Sequence, residues 1–148
     1  YDAIMVAYAG IKRLGLKVKL SAISTEDILP QAGQGALGIE AREDNREVVE
    51  MVKALDDAES HLSVDAERAL LSGLEGGCQV PIGVYAEVRG DMLFMTAGVF
   101  SLDGREAVRD EISGKKIDAK ALGQSLAEKI LAKDGARKIL QDVRKGLR

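Results

Sequence analysis

The spacing of apolar positions changes along the chain, and each change marks an element. Residues 3–7 form a short unbroken apolar run, the pattern of a strand buried on both faces. Residues 9–16 continue at helical spacing, with Val6, Ile11 and Leu14 on one side, Lys12 and Arg13 near the end and Gly15 as a stop. A strand passing directly into a helix is half of a βαβ unit. Residues 17–34 have no clean period. Ser24-Thr25-Glu26-Asp27, Pro30 and Gly33-Gln34-Gly35 interrupt regular structure there, and the stretch is expected to be a crossover between two domains. Residues 36–42 read as a second buried strand, and residues 45–55 as a helix with Val48, Val49, Val52 and Leu55 at helical spacing.

The second half is patterned differently. Residues 56–73 predict a helix with Leu62, Ala66, Ala69 and Leu70 on one face and a break capped by Ser63, ended by Gly76 and Gly77. Residues 84–89, 93–100 and 106–113 predict three strands joined by hairpin turns at Gly90-Asp91 and Asp103-Gly104. Residues 118–132 predict an amphipathic helix with Leu122, Leu126, Ile130 and Leu131 inward, and residues 136–145 a last helix with Ile139, Leu140 and Val143. The fold class that follows has two parts. Residues 1–55 are α/β pieces that need strands from elsewhere. Residues 57–148 are an α+β domain whose three-stranded antiparallel sheet is covered by helices. The chain begins Tyr1-Asp2-Ala3-Ile4, inside an expected strand, so it is expected to be a piece of a longer protein.

Composition narrows the function classes. Of 148 residues, 46% are apolar and 30% charged, ordinary for a globular protein. The net charge of −3, without a basic block, and only 3% aromatics point away from nucleic acid. No apolar run is long enough to span a membrane, and no signal peptide is visible. One cysteine cannot close an internal disulfide, which makes the cytoplasm the expected compartment. His61, the single histidine, has no accompanying metal ligands and reads as a surface or packing residue, and no metal site is expected. Gly33-Gln34-Gly35 lacks the spacing of a dinucleotide fingerprint and the lysine and hydroxyl of a P-loop.

The cysteine sits in Leu74-Glu75-Gly76-Gly77-Cys78-Gln79-Val80-Pro81-Ile82-Gly83. Two glycines before the thiol remove side-chain bulk, and Pro81 biases the residue before it toward extended backbone. The segment reads as a loop that presents sulfur and then enters a strand. A small buried apolar cysteine is the competing reading, and local sequence leaves both open.

Four segments in order carry a family resemblance: Ala9-Gly10-Ile11-Lys12-Arg13-Leu14-Gly15, Gly33-Gln34-Gly35-Ala36-Leu37-Gly38-Ile39-Glu40, Ala66-Glu67-Arg68-Ala69 and the Cys78 segment. Through them the chain resembles the C-terminal half of the hydroxymethylbilane synthase (porphobilinogen deaminase) family. The resemblance implies two periplasmic-binding-protein-like domains around a cleft and a small α+β domain carrying a cysteine. It implies a transferase that joins four porphobilinogen units, with loss of ammonia, onto a dipyrromethane cofactor. On this chain the attachment residue, through a thioether, is Cys78. Loss of ammonia from an aminomethylpyrrole gives an electrophilic azafulvene that a thiolate captures, so Cys78 is an anchor and not a turnover nucleophile.

Arg13 matches a family arginine that binds pyrrole carboxylates, which suits its bidentate fork. On position alone it is equally a cation favoured at a helix C-terminus. Gln34 matches a cofactor-contacting position and is otherwise an interdomain turn residue. Ala7 is expected to offer backbone contacts. Glu67 and Arg68 are expected to form ion pairs that fix their helix. The family's catalytic aspartate lies upstream, so no catalytic residue is assigned here. The missing N-terminal half is the expected partner, and the piece alone is expected to be inactive and without its dipyrromethane. Two alternatives remain: a non-catalytic α+β interaction module with a structural cysteine, and a thiol hydrolase that would need His61 to reach Cys78.

Overall fold

The computed structural model describes residues 1–74 and 80–146, with the side chains of residues 144 and 146 outside the description. Five helices and three strands follow in order: α1 Tyr8–Leu14, α2 Arg46–Lys53, α3 Ala58–Gly73, β1 Ile82–Arg89, β2 Met92–Phe100, β3 Ala107–Lys115, α4 Ala119–Leu131 and α5 Asp134–Gly146. A 3-10 turn at Lys116–Asp118 leads into α4.

The strands form one antiparallel sheet in the order β1-β2-β3. Alternation sorts its two faces. Ile82, Val84 and Ala86 of β1 lie opposite Val99, Ala97 and Met95 of β2, and all six are buried. Gly90, at φ 63, supplies the left-handed residue that turns β1 into β2. α3 and α4 cover the inner face, with Ala66, Leu70 and Leu74 from the first and Leu126, Ala127 and Ile130 from the second in one continuous core. Ala136, Ile139, Leu140 and Val143 of α5 close its end. Each buried Leu or Ile contributes about 1.5–3 kcal/mol.

The helices start where side chains satisfy free N–H groups. Asp57 accepts from Ser60 N at 2.8 Å to open α3, and Asn45 accepts from Val48 N at 3.3 Å to open α2. α3 runs unbroken through Ser63, contrary to the expected break; the hydroxyl caps no new helix and donates back to Glu59 O at 3.0 Å, one turn earlier. α3 and α4 come together at glycine: a Cβ on Gly123 would collide with the Ala66 carbonyl oxygen and crowd Ala69 Cβ at 3.0 Å.

Both edges of the sheet are occupied. On β3 the inward-facing Asp110 meets Lys129 at 3.2 Å and Lys133 at 3.0 Å. The same ammonium groups also donate to Glu111 O and Arg109 O, at 2.7 Å each. An inward charge and lysines on an edge carbonyl row oppose pairing with a further strand.

Residues 1–55 differ from expectation. Residues 3–7 and 36–42 are not strands, and no residue before Ala66 is buried. A strand buried on both faces requires neighbours on each edge and layers on each side. None of the described residues supplies them, so Ile4, Met5, Leu37 and Ile39 stand exposed. The α/β part therefore consists here of α1, α2 and irregular chain.

Two predictions test this packing. Gly123→Ala is expected to cost about 2 kcal/mol or more by overpacking, measured by urea denaturation. Gly38→Ala, with nothing within 4 Å of the added methyl, should stay within about 0.5 kcal/mol. The second concerns pH. The Glu111 N–H first, and then Lys133 and Lys129, lower the Asp110 pKa from 3.8 to about 2. Because the folded value lies below the unfolded one, its stabilisation is complete above 3.8 and lost as pH falls toward about 2. Asp110→Asn should lower the urea midpoint at pH 7 and converge with the parent protein at the acid end.

Candidate functional site

Two paired glycines bare part of the outer face of the sheet, and an arginine flanks them. Gly83 of β1 pairs with Gly98 of β2, which pairs with Arg109 of β3. The crossover segment uses this strip. Leu29 lies on Gly83, where an added Cβ would come within 2.5 Å of Leu29 Cβ. Pro30 O accepts from Val84 N at 2.8 Å on the free edge of β1. The Arg109 guanidinium stacks over Phe100 at 5.3 Å from the ring centre and donates to Glu26 O at 2.7 Å and Asp27 O at 3.3 Å. Residues 26–30 are thus bound to the sheet by a cation, a leucine and a backbone hydrogen bond.

The chain then turns at Gly33-Gln34-Gly35 toward α3. Gly33 takes φ 72, a conformation costly for other residues, and its N–H donates to Glu67 Oε2 at 2.7 Å. Glu67 Oε1 accepts from Ala86 N, the next free N–H on the β1 edge, at 2.9 Å. Only 6% of Glu67 is exposed. Burial raises its pKa, and the Gly33 and Ala86 N–H groups pull the other way. The expected Glu67 ion pair is replaced by these two backbone bonds, because Glu67 lies on the buried side of α3 while Arg68 is exposed. The sequence carried a signal for this: an acid three residues before the core Leu70 shares its face.

Of the four residues assigned from sequence, Ala7, Arg13 and Gln34 are exposed. Cys78 lies outside the described residues. Its flanks are fixed: Leu74 is buried at the end of α3, Ile82 N donates to Val80 O at 2.8 Å, and Phe100 N donates to Pro81 O at 3.0 Å. Arg13 is exposed in the last turn of α1, and among the described residues its guanidinium has no ion-pair partner. Gln34 is exposed; its Oε1 accepts from Gln31 N at 3.1 Å, which leaves its amide NH2 outward. Ala7 precedes α1, and its carbonyl accepts from Gly10 N and Ile11 N. A free guanidinium and a free amide suit a ligand carrying several carboxylates.

His61 is exposed near the start of α3, 3.0 Å from Asp56 and 4.0 Å from Asp65. The Asp56 hydrogen bond, then the two carboxylate charges, raise its pKa. At 1.5 Å per residue it stands about 20 Å along α3 from Leu74. Among the described residues no group of three or more His, Cys, Asp or Glu could hold a metal, and no helix is long and apolar enough to cross a membrane.

Comparison with known proteins decides the family. Residues 1–50 match the model described as porphobilinogen deaminase, dipyromethane cofactor binding domain, and residues 61–132 match the porphobilinogen deaminase C-terminal domain. The chain belongs to the porphobilinogen deaminase family. A porphobilinogen deaminase of Alkaliphilus metalliredigens is 46% identical over 96% of this chain and 45% of its own length. One of Chlorobaculum tepidum is 45% identical over 98% of the chain and 47% of its own length, and one of Carboxydothermus hydrogenoformans 43% identical over 97% and 46%. The chain spans about half the length of these porphobilinogen deaminases. Ala7, Arg13 and Gln34 fall within the cofactor-binding match, and Cys78 within the C-terminal match.

Arg109→Ala is expected to free residues 26–30 from the sheet. Cleavage after Glu26 by a glutamate-specific protease should accelerate more than about tenfold, the equivalent of one charge-assisted bond, while the urea midpoint changes little.

Proposed function

We propose that this chain is the C-terminal half of a transferase that polymerises four porphobilinogen units into hydroxymethylbilane, releasing ammonia. The match of residues 1–50 to a dipyromethane cofactor binding domain carries this reading, joined to the Gly76-Gly77-Cys78-Gln79 loop. A bound dipyrromethane supplies the primer onto which the pyrroles are added. Cys78 anchors it by a thioether. Arg13 binds pyrrole carboxylates bidentately, Gln34 turns its free amide toward the cofactor, and Ala7 offers its backbone N–H. In this reading residues 1–55 are the cleft-forming part and residues 57–148 the cysteine-bearing part; the gap at 51–60 between the two family matches supports that division.

The partner is the other half of the enzyme. Two features support this: relatives are about twice as long, and the apolar Ile4, Met5, Leu37 and Ile39 are exposed. Strands from the absent half complete two periplasmic-binding-protein-like domains around these residues. Alone, the chain supplies no catalytic aspartate and does not assemble its cofactor.

The test is to reconstitute the chain with a polypeptide equivalent to the remaining length of its relatives. Mass spectrometry should then find the Cys78 peptide heavier by two linked pyrrole units, with ammonia released from porphobilinogen. An active preparation with an unmodified Cys78 peptide, or one in which Cys78→Ser keeps activity and cofactor, would instead favour a structural cysteine in an interaction module. Arg13→Ala should lower the rate about tenfold to a hundredfold, the range of a charged hydrogen bond.

A further inference from the structure

We propose that the open half of the sheet's outer face is the surface on which the absent half of the enzyme docks. This rests on reading that half as the partner. Alternation along the strands puts Gly83, Tyr85, Glu87 and Arg89 of β1 on one face, opposite Gly98, Thr96, Phe94 and Met92 of β2. That face is divided. Its glycine end already carries a docked segment: Leu29 lies on Gly83, and Arg109, stacked 5.3 Å from the Phe100 ring centre, donates to Glu26 O and Asp27 O. At the other end the same pairing recurs. The Arg89 guanidinium lies 5.3 Å from the Phe94 ring centre, and among the described residues it donates only to Glu87, at 2.7 and 3.0 Å. Tyr85, Met92 and Phe94 beside it are 36%, 38% and 40% exposed. The sequence has only five aromatic residues, three Tyr and two Phe, and the core holds none of them. Tyr85, Phe94 and Phe100 instead share this outer face. Aromatic, methionine and arginine side chains gathered on a rigid sheet have the composition of an interface centre. Two observations fix the partner. Tyr85 adjoins Gly83, so the patch is continuous with the seat of the crossover, and a body joined to the crossover meets it. The relatives are about twice as long as this chain, which supplies such a body.

The test is hydroxyl-radical footprinting read by mass spectrometry, on the chain alone and on the chain reconstituted with a polypeptide equivalent to the remaining length of its relatives. The reactivity of Tyr85, Met92 and Phe94 should fall at least about fivefold in the complex, as at the dry centre of an interface. Protection of Ile4 and Leu37 without protection of these three would mean that the halves meet by another face, and would overturn this proposal alone. Protection of the patch in the chain by itself, rising with concentration, would put a second copy there and also overturn it. A complex that protects the patch but releases no ammonia from porphobilinogen would sink the transferase reading and leave the docking surface standing. Absence of any complex would remove the partner and the proposal together. Tyr85→Ala and Phe94→Ala should each weaken association more than about tenfold, the loss of one central aromatic, with the urea midpoint of Tyr85→Ala unchanged. A loss below about twofold for both would count against the proposal, since rim contacts alone behave so.

Discussion

A desolvated carboxylate with both oxygens committed to backbone N–H groups is the constraint around which the described structure is arranged. Removing either bond leaves a buried donor or acceptor without a partner, at about 1–3 kcal/mol. Glu67 thereby fastens a stretch with almost no core of its own to a domain that has one. Arg109, Leu29 and Pro30 extend the same attachment across the sheet. The dependence also runs the other way, because Val84 N on the β1 edge obtains its outer hydrogen bond from Pro30 of this crossover.

The α+β part was legible in the sequence because its elements bury one face each. Period-two alternation located all three strands, and helical spacing located the three helices packed on them. Helix signals also held where packing is absent: Gly15 and Asn45 bound α1 and α2 by local hydrogen bonding alone. Apolar runs at residues 3–7 and 36–42 state a preference for burial, yet a strand exists only with a neighbour to receive its backbone groups.

The candidate site was legible only as separate residues. Arg13 and Gln34 could be named from motif, and each has a side-chain group free to meet a ligand. Their attachment to the rest of the molecule could not be read this way. Glu67 looked like a member of an ion pair, and only its place three residues before Leu70 signals that it shares the buried face of α3 while Arg68 is exposed. Gly83 and Gly98 carried no signal of their own in the sequence, and only the register between β1 and β2 makes them a seat for Leu29.

The way the β1 edge is sealed has a consequence for how the molecule divides. The C-terminal family match starts at residue 61, but the contacts that complete its sheet reach back to Glu26. Excising residues 57–148 would strip away the peptide that shields Val84 and would empty half of the Glu67 carboxylate's coordination. The excised piece would carry an open β margin, ready to recruit a strand from another molecule. Genetic modularity and mechanical modularity are therefore offset here by some thirty residues.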